Sequence, residues 1–199
     1  MPGRSFAELN LWRNPFGEPA RAERAGLAEI ELELPRAGEV LQIIGDSGHG
    51  KSTHLLAIAA RLYDAEYEYV PNGANDFHAV VPRRHPLCLD EAQRVKPRRL
   101  RALLAVERTL VLGTHADLSG LSPRPMRTVR LNRPVTPARL ERIVTRRLEW
   151  ARREPGPLPR PAASTLEALI AAHRGDIRAI EGALYERYQA FAGGPDGHL

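Results

Sequence analysis

Eight residues constrain this chain more than any others: G-D-S-G-H-G-K-S, from Gly45 to Ser52. Before them stands a short apolar run, Val40, Leu41, Ile43 and Ile44, of buried-strand type. After them Leu55, Leu56, Ala59 and Leu62 recur at helical spacing. A strand, a glycine turn and a helix in that order are the context in which G-x-x-x-x-G-K-[ST] cradles phosphate. The residue types suit the task. Gly45, Gly48 and Gly50 let the backbone fold back so that successive N–H groups converge on an anion. The helix starting near Lys51 points its positive end at the same place. Asp46, Ser47, His49 and Thr53 complete the loop by position. Lys51 can reach the β- and γ-phosphates, and the Ser52 hydroxyl can ligate Mg2+. The expected ligand is a nucleoside triphosphate; the alternative is a glycine turn that holds nothing.

At 199 residues the chain fits one domain, or one with a small appendage, and can bury a real core. Its longest apolar run, Leu55 to Ala60, falls far short of the ~20 residues a membrane span needs. The opening MPGRSFAELNLWRN lacks an apolar signal core. The single Cys88 excludes a disulfide within the chain and a multi-cysteine zinc site. A cytoplasmic protein without membrane contact is expected. Net charge is +5 and the pI about 9.9. Lysine occurs only at 51 and 96, so 27 of the 29 basic residues are arginine. That skew fits a GC-rich coding sequence as well as a phosphate-binding surface.

An entry segment, 1–33, holds the turn-rich NPFGEP (Asn14 to Pro19), a short helix over 20–28, and Ile30 and Leu32 alternating with Glu31 and Glu33. Trp12 and Phe16 either cover the edge of a base or cap the core. Within 34–133 the pattern predicts strands at Tyr67–Val70, at the start of PLCLDEAQR (86–94), at Thr109–Gly113 and at Met126–Leu131, with a helix over 97–108. The piece 74–85 contains no convincing helix. Asp90 and Glu91 end their strand 39 and 40 residues beyond Lys51. An acid so placed can hold Mg2+, and a second can orient and deprotonate water. Thr114, at the tip of the next strand, is the candidate for contacting the γ-phosphate; His115 is expected to hydrogen-bond locally. Pro134 and Pro137 mark a boundary, and 134–199 reads as three helices. They begin near Thr136, Ser164 and Asp176, and the last carries Ile177, Ile180, Leu184, Tyr188 and Phe191 as one stripe. The expected fold is α/β: a three-layer parallel-sheet P-loop NTPase core with a C-terminal three-helix lid.

Taken together, these motifs resemble the AAA+ ATPases. GDSGHGKST is similar to their Walker A sequence, LCLDEAQR to their Walker B with its catalytic glutamate, and Thr114 falls at their sensor-1 position. HRGDIRAIEGALYERY (His173 to Tyr188) resembles the sensor-2 helix of bacterial replication initiators and clamp-loader subunits, with Arg178 at the arginine that overhangs the γ-phosphate. NPFGEP and DEAQ are also similar to sequences in the small AAA+ ATPases of secretion and transposition, and in a group of uncharacterised bacterial ATP-binding proteins with an NPFGE stretch. The resemblance covers about residues 14–192 and implies ATP and Mg2+ as cofactors. It also implies self-association, with Arg124 or Arg127 acting in trans. The short stretch before LCLDEAQR departs from the family, and no DNA-reading domain follows the helices, so an initiator's sequence-specific role is not carried over.

The leading expectation is an Mg2+-dependent ATPase: Lys51 and the loop amides bind phosphate, Ser52 and Asp90 hold the metal, Glu91 positions water, and Thr114 and Arg178 sense the γ-phosphate. One alternative is a nucleotide-gated module that binds DNA or a protein partner through Arg83, Arg84, Arg94, Arg98, Arg99 and Arg101, with little hydrolysis. A small-molecule P-loop kinase is the other.

Overall fold

Three largely apolar runs and two more polar stretches, each of four or five residues, become the strands of one parallel sheet. The computed structural model describes residues 5–28, 32–78, 85–131 and 134–193. Among them the strands are β1 (Val40–Ile44), β2 (Glu66–Tyr69), β3 (Leu87–Asp90), β4 (Leu110–Thr114) and β5 (Met126–Arg130). Their spatial order is β2-β3-β4-β1-β5, every neighbouring pair parallel. β1, β3 and β4 are buried throughout, which is why they read as continuous apolar runs rather than alternating ones. The chain divides into two compact units, 21–133 and 1–20 with 134–199.

The sheet unit has two apolar faces. Leu41, Ile43, Cys88 and Val111 pack with Leu55 and Ile58 of helix α2 (Lys51–Ala59). Val40, Leu87, Leu89, Leu110 and Leu112 pack on the other side with Leu100, Leu103 and Leu104 of helix α3 (Pro97–Leu104). Sheet residues alternate between the clusters with the period of two that a pleated strand imposes. A short helix, α1 (Arg21–Arg24), continues into a 3-10 turn at Ala25–Leu27. The one polar residue inside β1, Gln42, is buried and satisfied: its Nε2 donates to Asp117 Oδ1 and Thr128 Oγ1, both at 2.8 Å, and its Oε1 accepts the Leu118 N–H at 3.0 Å.

The helical unit contains α4 (Pro137–Ala151), α5 (Ala163–Ala172) and α6 (Ile177–Gly193). Thr136 caps α4, accepting the Arg139 N–H, and Asp176 caps α6, accepting the N–H groups of Arg178 and Ala179. Leu140, Val144, Leu148, Leu166, Leu169, Ile180, Leu184 and Tyr188 form its core. Leu9, Leu11 and Phe16 belong to the same core. The expected entry segment 1–33 is therefore divided: its first twenty residues group with the helices and the remainder with the sheet. The turn at NPFGEP supplies the anchor. Asn14 Nδ2 donates to the Tyr185 carbonyl at 2.8 Å, its Oδ1 accepts the Phe16 N–H at 3.0 Å, and the Phe16 ring lies 5.3 Å from that of Tyr188. Trp12 stays exposed beneath the Arg153 guanidinium. Among the described residues no helix is long and apolar enough to cross a membrane. The expected alternation at 30–33 lies partly outside the described residues, as does much of 74–85.

Candidate functional site

In a parallel sheet all strands end at one edge, so the loop after β1 and the acids after β3 share an edge of the sheet unit, with the tip of β4 between them. The Gly45 N–H donates to the Thr114 carbonyl at 3.2 Å and ties the loop to that tip. Gly48 and Gly50 have φ of 81° and 82°, in the left-handed region that L side chains avoid. Gly50 stands immediately before α2, and its carbonyl is bonded to His54 Nδ1 at 2.8 Å, which holds that ring under the turn. Asp46, Ser47 and Gly48 are exposed, whereas His49 is half-buried with an Nδ1 that has no partner among the described residues. Thr53 lies in the first turn of α2.

Lys51 is buried, and its Nζ makes three contacts: the Gly45 carbonyl at 2.8 Å, the Asp46 carbonyl at 3.0 Å and His115 Nε2 at 3.2 Å. Burial pushes the ammonium below the ordinary lysine value, while the Glu91, Asp90 and Asp46 carboxylates act to keep it charged.

Asp90 is fully buried at the end of β3. Its Oδ1 accepts the Glu91 N–H at 3.0 Å and its Oδ2 accepts the Tyr67 hydroxyl at 2.8 Å. Burial and the Asp90 charge push the Tyr67 hydroxyl well above its usual range, so it remains a donor. Ser52, the other expected metal ligand, acts on the same hydroxyl in the opposite sense, weakly lowering its pKa. Among the described residues no group of three or more His, Cys, Asp or Glu could hold a metal by itself. One hydroxyl and one carboxylate fit Mg2+, which takes few protein ligands and completes its shell with phosphate and water. Cys88, two residues upstream, is buried and its thiol pushed up to about 12, so it packs and does not react.

Glu91 follows in a left-handed conformation, φ 60°, unusual for a residue with a side chain. It leads into a 3-10 turn, Ala92–Arg94, and that turn closes around its carboxylate. Gln93 Nε2 donates to Oε2 at 2.8 Å, the Arg94 guanidinium pairs with Oε2 at 3.0 Å, and His115 Nε2 lies 3.2 Å from Oε1. Arg94 is braced in turn by the Val70 carbonyl and the Tyr69 hydroxyl.

At the tip of β4, Thr114 is buried and its hydroxyl closes a local turn, donating to the Ala116 carbonyl at 2.8 Å and accepting the Ala116 N–H at 3.1 Å. The residue that reaches Lys51 and Glu91 is instead His115, expected from the sequence to bond only locally. Tyr67, Gly113 and Gln93 also join the site without a sequence signal of their own.

Arg178, in the helical unit, is exposed at the start of α6. Arg124 is committed to backbone carbonyls of Leu104, Gly38 and Arg108, and Arg127 to Glu39 at 2.5 Å. These partners surround the starts of β1 and β5, the edge opposite the glycine loop. Of the surface arginines, Arg99 pairs with Asp76 over the Phe77 ring, Arg98 and Arg101 are exposed, and Arg83 and Arg84 lie outside the described residues. No protein-family model matches the chain, and no curated protein matches it either.

Proposed function

We propose that this chain is an Mg2+-dependent ATPase of AAA+ type. One observation carries the reading: a glycine loop with two left-handed glycines, a buried lysine and a strand-end Asp-Glu pair meet at one edge of a parallel sheet, and a single imidazole lies 3.2 Å from both Lys51 and Glu91. Residues 45–53 would wrap the phosphates, with Lys51 leaving its carbonyl partners for them. Ser52 and Asp90 would hold Mg2+, which neutralises charge developing on the phosphoryl group. Glu91 would orient the attacking water and take its proton. Thr114, whose hydroxyl is spent on a turn, supports the loop through its carbonyl, and the sensing role suits His115 better. Arg178 keeps the γ-phosphate role only from the resemblance, as Arg124 and Arg127 keep theirs in trans.

A second reading, a nucleotide-gated binding module with slow hydrolysis, is favoured by the Glu91 carboxylate being held at Oε2 by both Gln93 and Arg94. The two separate in one experiment. Fluorescent ATP analogue binding and phosphate release are measured for the wild type, Lys51→Ala and Glu91→Gln, without an acceptor. The ATPase reading expects Lys51→Ala to lose binding and Glu91→Gln to bind while losing turnover by at least about a hundredfold. Wild-type turnover in Glu91→Gln would overturn it. Nucleotide binding with negligible wild-type release would favour the module.

A further inference from the structure

We propose that His115 is a positioning residue that transmits the state of the phosphate site to Glu91, because its Nε2 faces two groups and can serve only one at a time. The proposal rests on the nucleotide-binding reading of the site.

Nε2 lies 3.2 Å from Lys51 Nζ and 3.2 Å from Glu91 Oε1. A neutral imidazole carries one N–H and one lone pair. A lone pair at Nε2 accepts from the lysine and offers the carboxylate nothing. An N–H at Nε2 donates to the carboxylate and repels the lysine. The lysine side of the choice is complete, since three ammonium protons meet three acceptors: the Gly45 carbonyl, the Asp46 carbonyl and Nε2. That count assigns the lone pair to Nε2 and the proton to Nδ1 in the geometry described. The Glu91 side is incomplete. Gln93 and Arg94 both approach Oε2, leaving Oε1 to the histidine. The backbone at His115 is tied to the same network, because its main-chain N–H donates to Gln93 Oε1 at 3.3 Å, and the same Gln93 amide holds Glu91.

A phosphate that draws the ammonium away removes the donor from Nε2. Nδ1 then releases its proton to water while Nε2 takes one from water, with no net change in charge. The new Nε2–H donates to Glu91 Oε1, and both carboxylate oxygens are held. Filling of the phosphate site is thereby read out as the orientation of the catalytic carboxylate, over two contacts.

The test uses the full chain labelled with 15N-histidine, the His115 signals being assigned by their loss in His115→Gln. Spectra are recorded at a pH above which the 15N shifts no longer change, so that only neutral tautomers are compared. The 15N shifts tell the tautomers apart. The wild type alone is expected to show Nδ1–H, and with Mg2+ and a non-hydrolysable ATP analogue to show Nε2–H. Lys51→Met without nucleotide is expected to show Nε2–H as well. An unchanged tautomer in Lys51→Met overturns the proposal whether or not nucleotide binds. If the analogue binds the wild type and leaves the tautomer unchanged, the transmission is overturned and the ATP reading survives. If Lys51→Met switches the ring but the wild type binds no nucleotide, the ATP reading fails and the transmission to Glu91 fails with it. In turnover, His115→Ala should lower kcat about tenfold with KM nearly unchanged, the mark of an interaction made in the transition state. His115→Gln, which offers both a donor and an acceptor, should recover most of it, and a His115→Gln as slow as His115→Ala overturns the positioning role.

Discussion

A Cβ built on Gly113 would lie 2.6 Å from Asp90 Oδ1, and 3.2 Å from both terminal methyls of Leu55. The glycine at the end of TLVLG is therefore what lets the Asp90 carboxylate lie flat against the neighbouring strand. A short carboxylate two bonds from its own backbone has little room to retreat. Gly113→Ala should displace it, costing about 1–3 kcal/mol of stability by overpacking. It should also weaken Mg2+-dependent nucleotide binding by at least about tenfold, equivalent to about 1.4 kcal/mol. Calorimetric titration with Mg2+ and with chelator checks this: the loss should appear only with the metal.

Tyr67 is the next residue to test. Its hydroxyl, on β2, donates to the Asp90 carboxylate at the end of β3. Tyr67→Phe removes a hydrogen bond to a buried carboxylate and should lower stability by about 1–3 kcal/mol in urea. On the proposed function a metal would satisfy the freed oxygen, so Mg2+ with nucleotide should recover more stability in Tyr67→Phe than in the wild type. Equal recovery in the two would show that the phenol is structural alone.

Glu91 separates folding from chemistry. Its left-handed backbone costs an ordinary L-residue roughly 1 kcal/mol or more, and glycine little. Glu91→Gly should therefore be more stable than Glu91→Ala by about 1 kcal/mol, the reverse of their order in a helix. Both should lack turnover. Strain borne by a residue that loses function when replaced by a better-fitting one is what a working site predicts.

Asp117 gives the pH dependence. Its carboxyl is held down from 3.8 to about 2, by the Ser119 N–H first, then by the Gln42 amide and the Ser119 side chain, with Arg130 beside it. A pKa depressed on folding adds stability that is complete above the unfolded value and disappears as pH falls through the folded one. The difference in urea midpoint between the wild type and Asp117→Asn should thus be constant near neutrality and shrink between 3.8 and about 2. A difference independent of pH would show that the charge is not what matters.

The three central strands are legible because they are short and largely apolar and end in chemical punctuation. β1 runs into glycines, β3 into Asp90, β4 into Thr114. Alternation places β2 at 67–70, one residue later than Glu66–Tyr69, since it fixes a period and not an end. The helix expected over 97–108 stops at Leu104, and the following turn lets the Arg108 guanidinium reach the His85 carbonyl. At the site, the sequence places residues that share a motif but not those that meet across strands. Tyr67 to Asp90, Gly113 to Asp90 and His115 to Lys51 are contacts between residues 23 or more apart, made by register and strand order. Thr114 is the expected phosphate contact because a hydroxyl at a strand tip suits the role, but only the folded turn reveals that Ala116 has already claimed it.

Leu9, Leu11 and Phe16 share a core with Leu140, Leu184 and Tyr188, while the whole sheet unit lies between them in the chain. A ribosome therefore finishes every strand before it has made the residues that these three early side chains need. The glycine loop and its acids can assemble on a nascent chain whose first segment is still waiting, and the helical unit can close only when α6 has emerged. Order of synthesis makes the sheet unit the older one and leaves the other to be completed by its last helix.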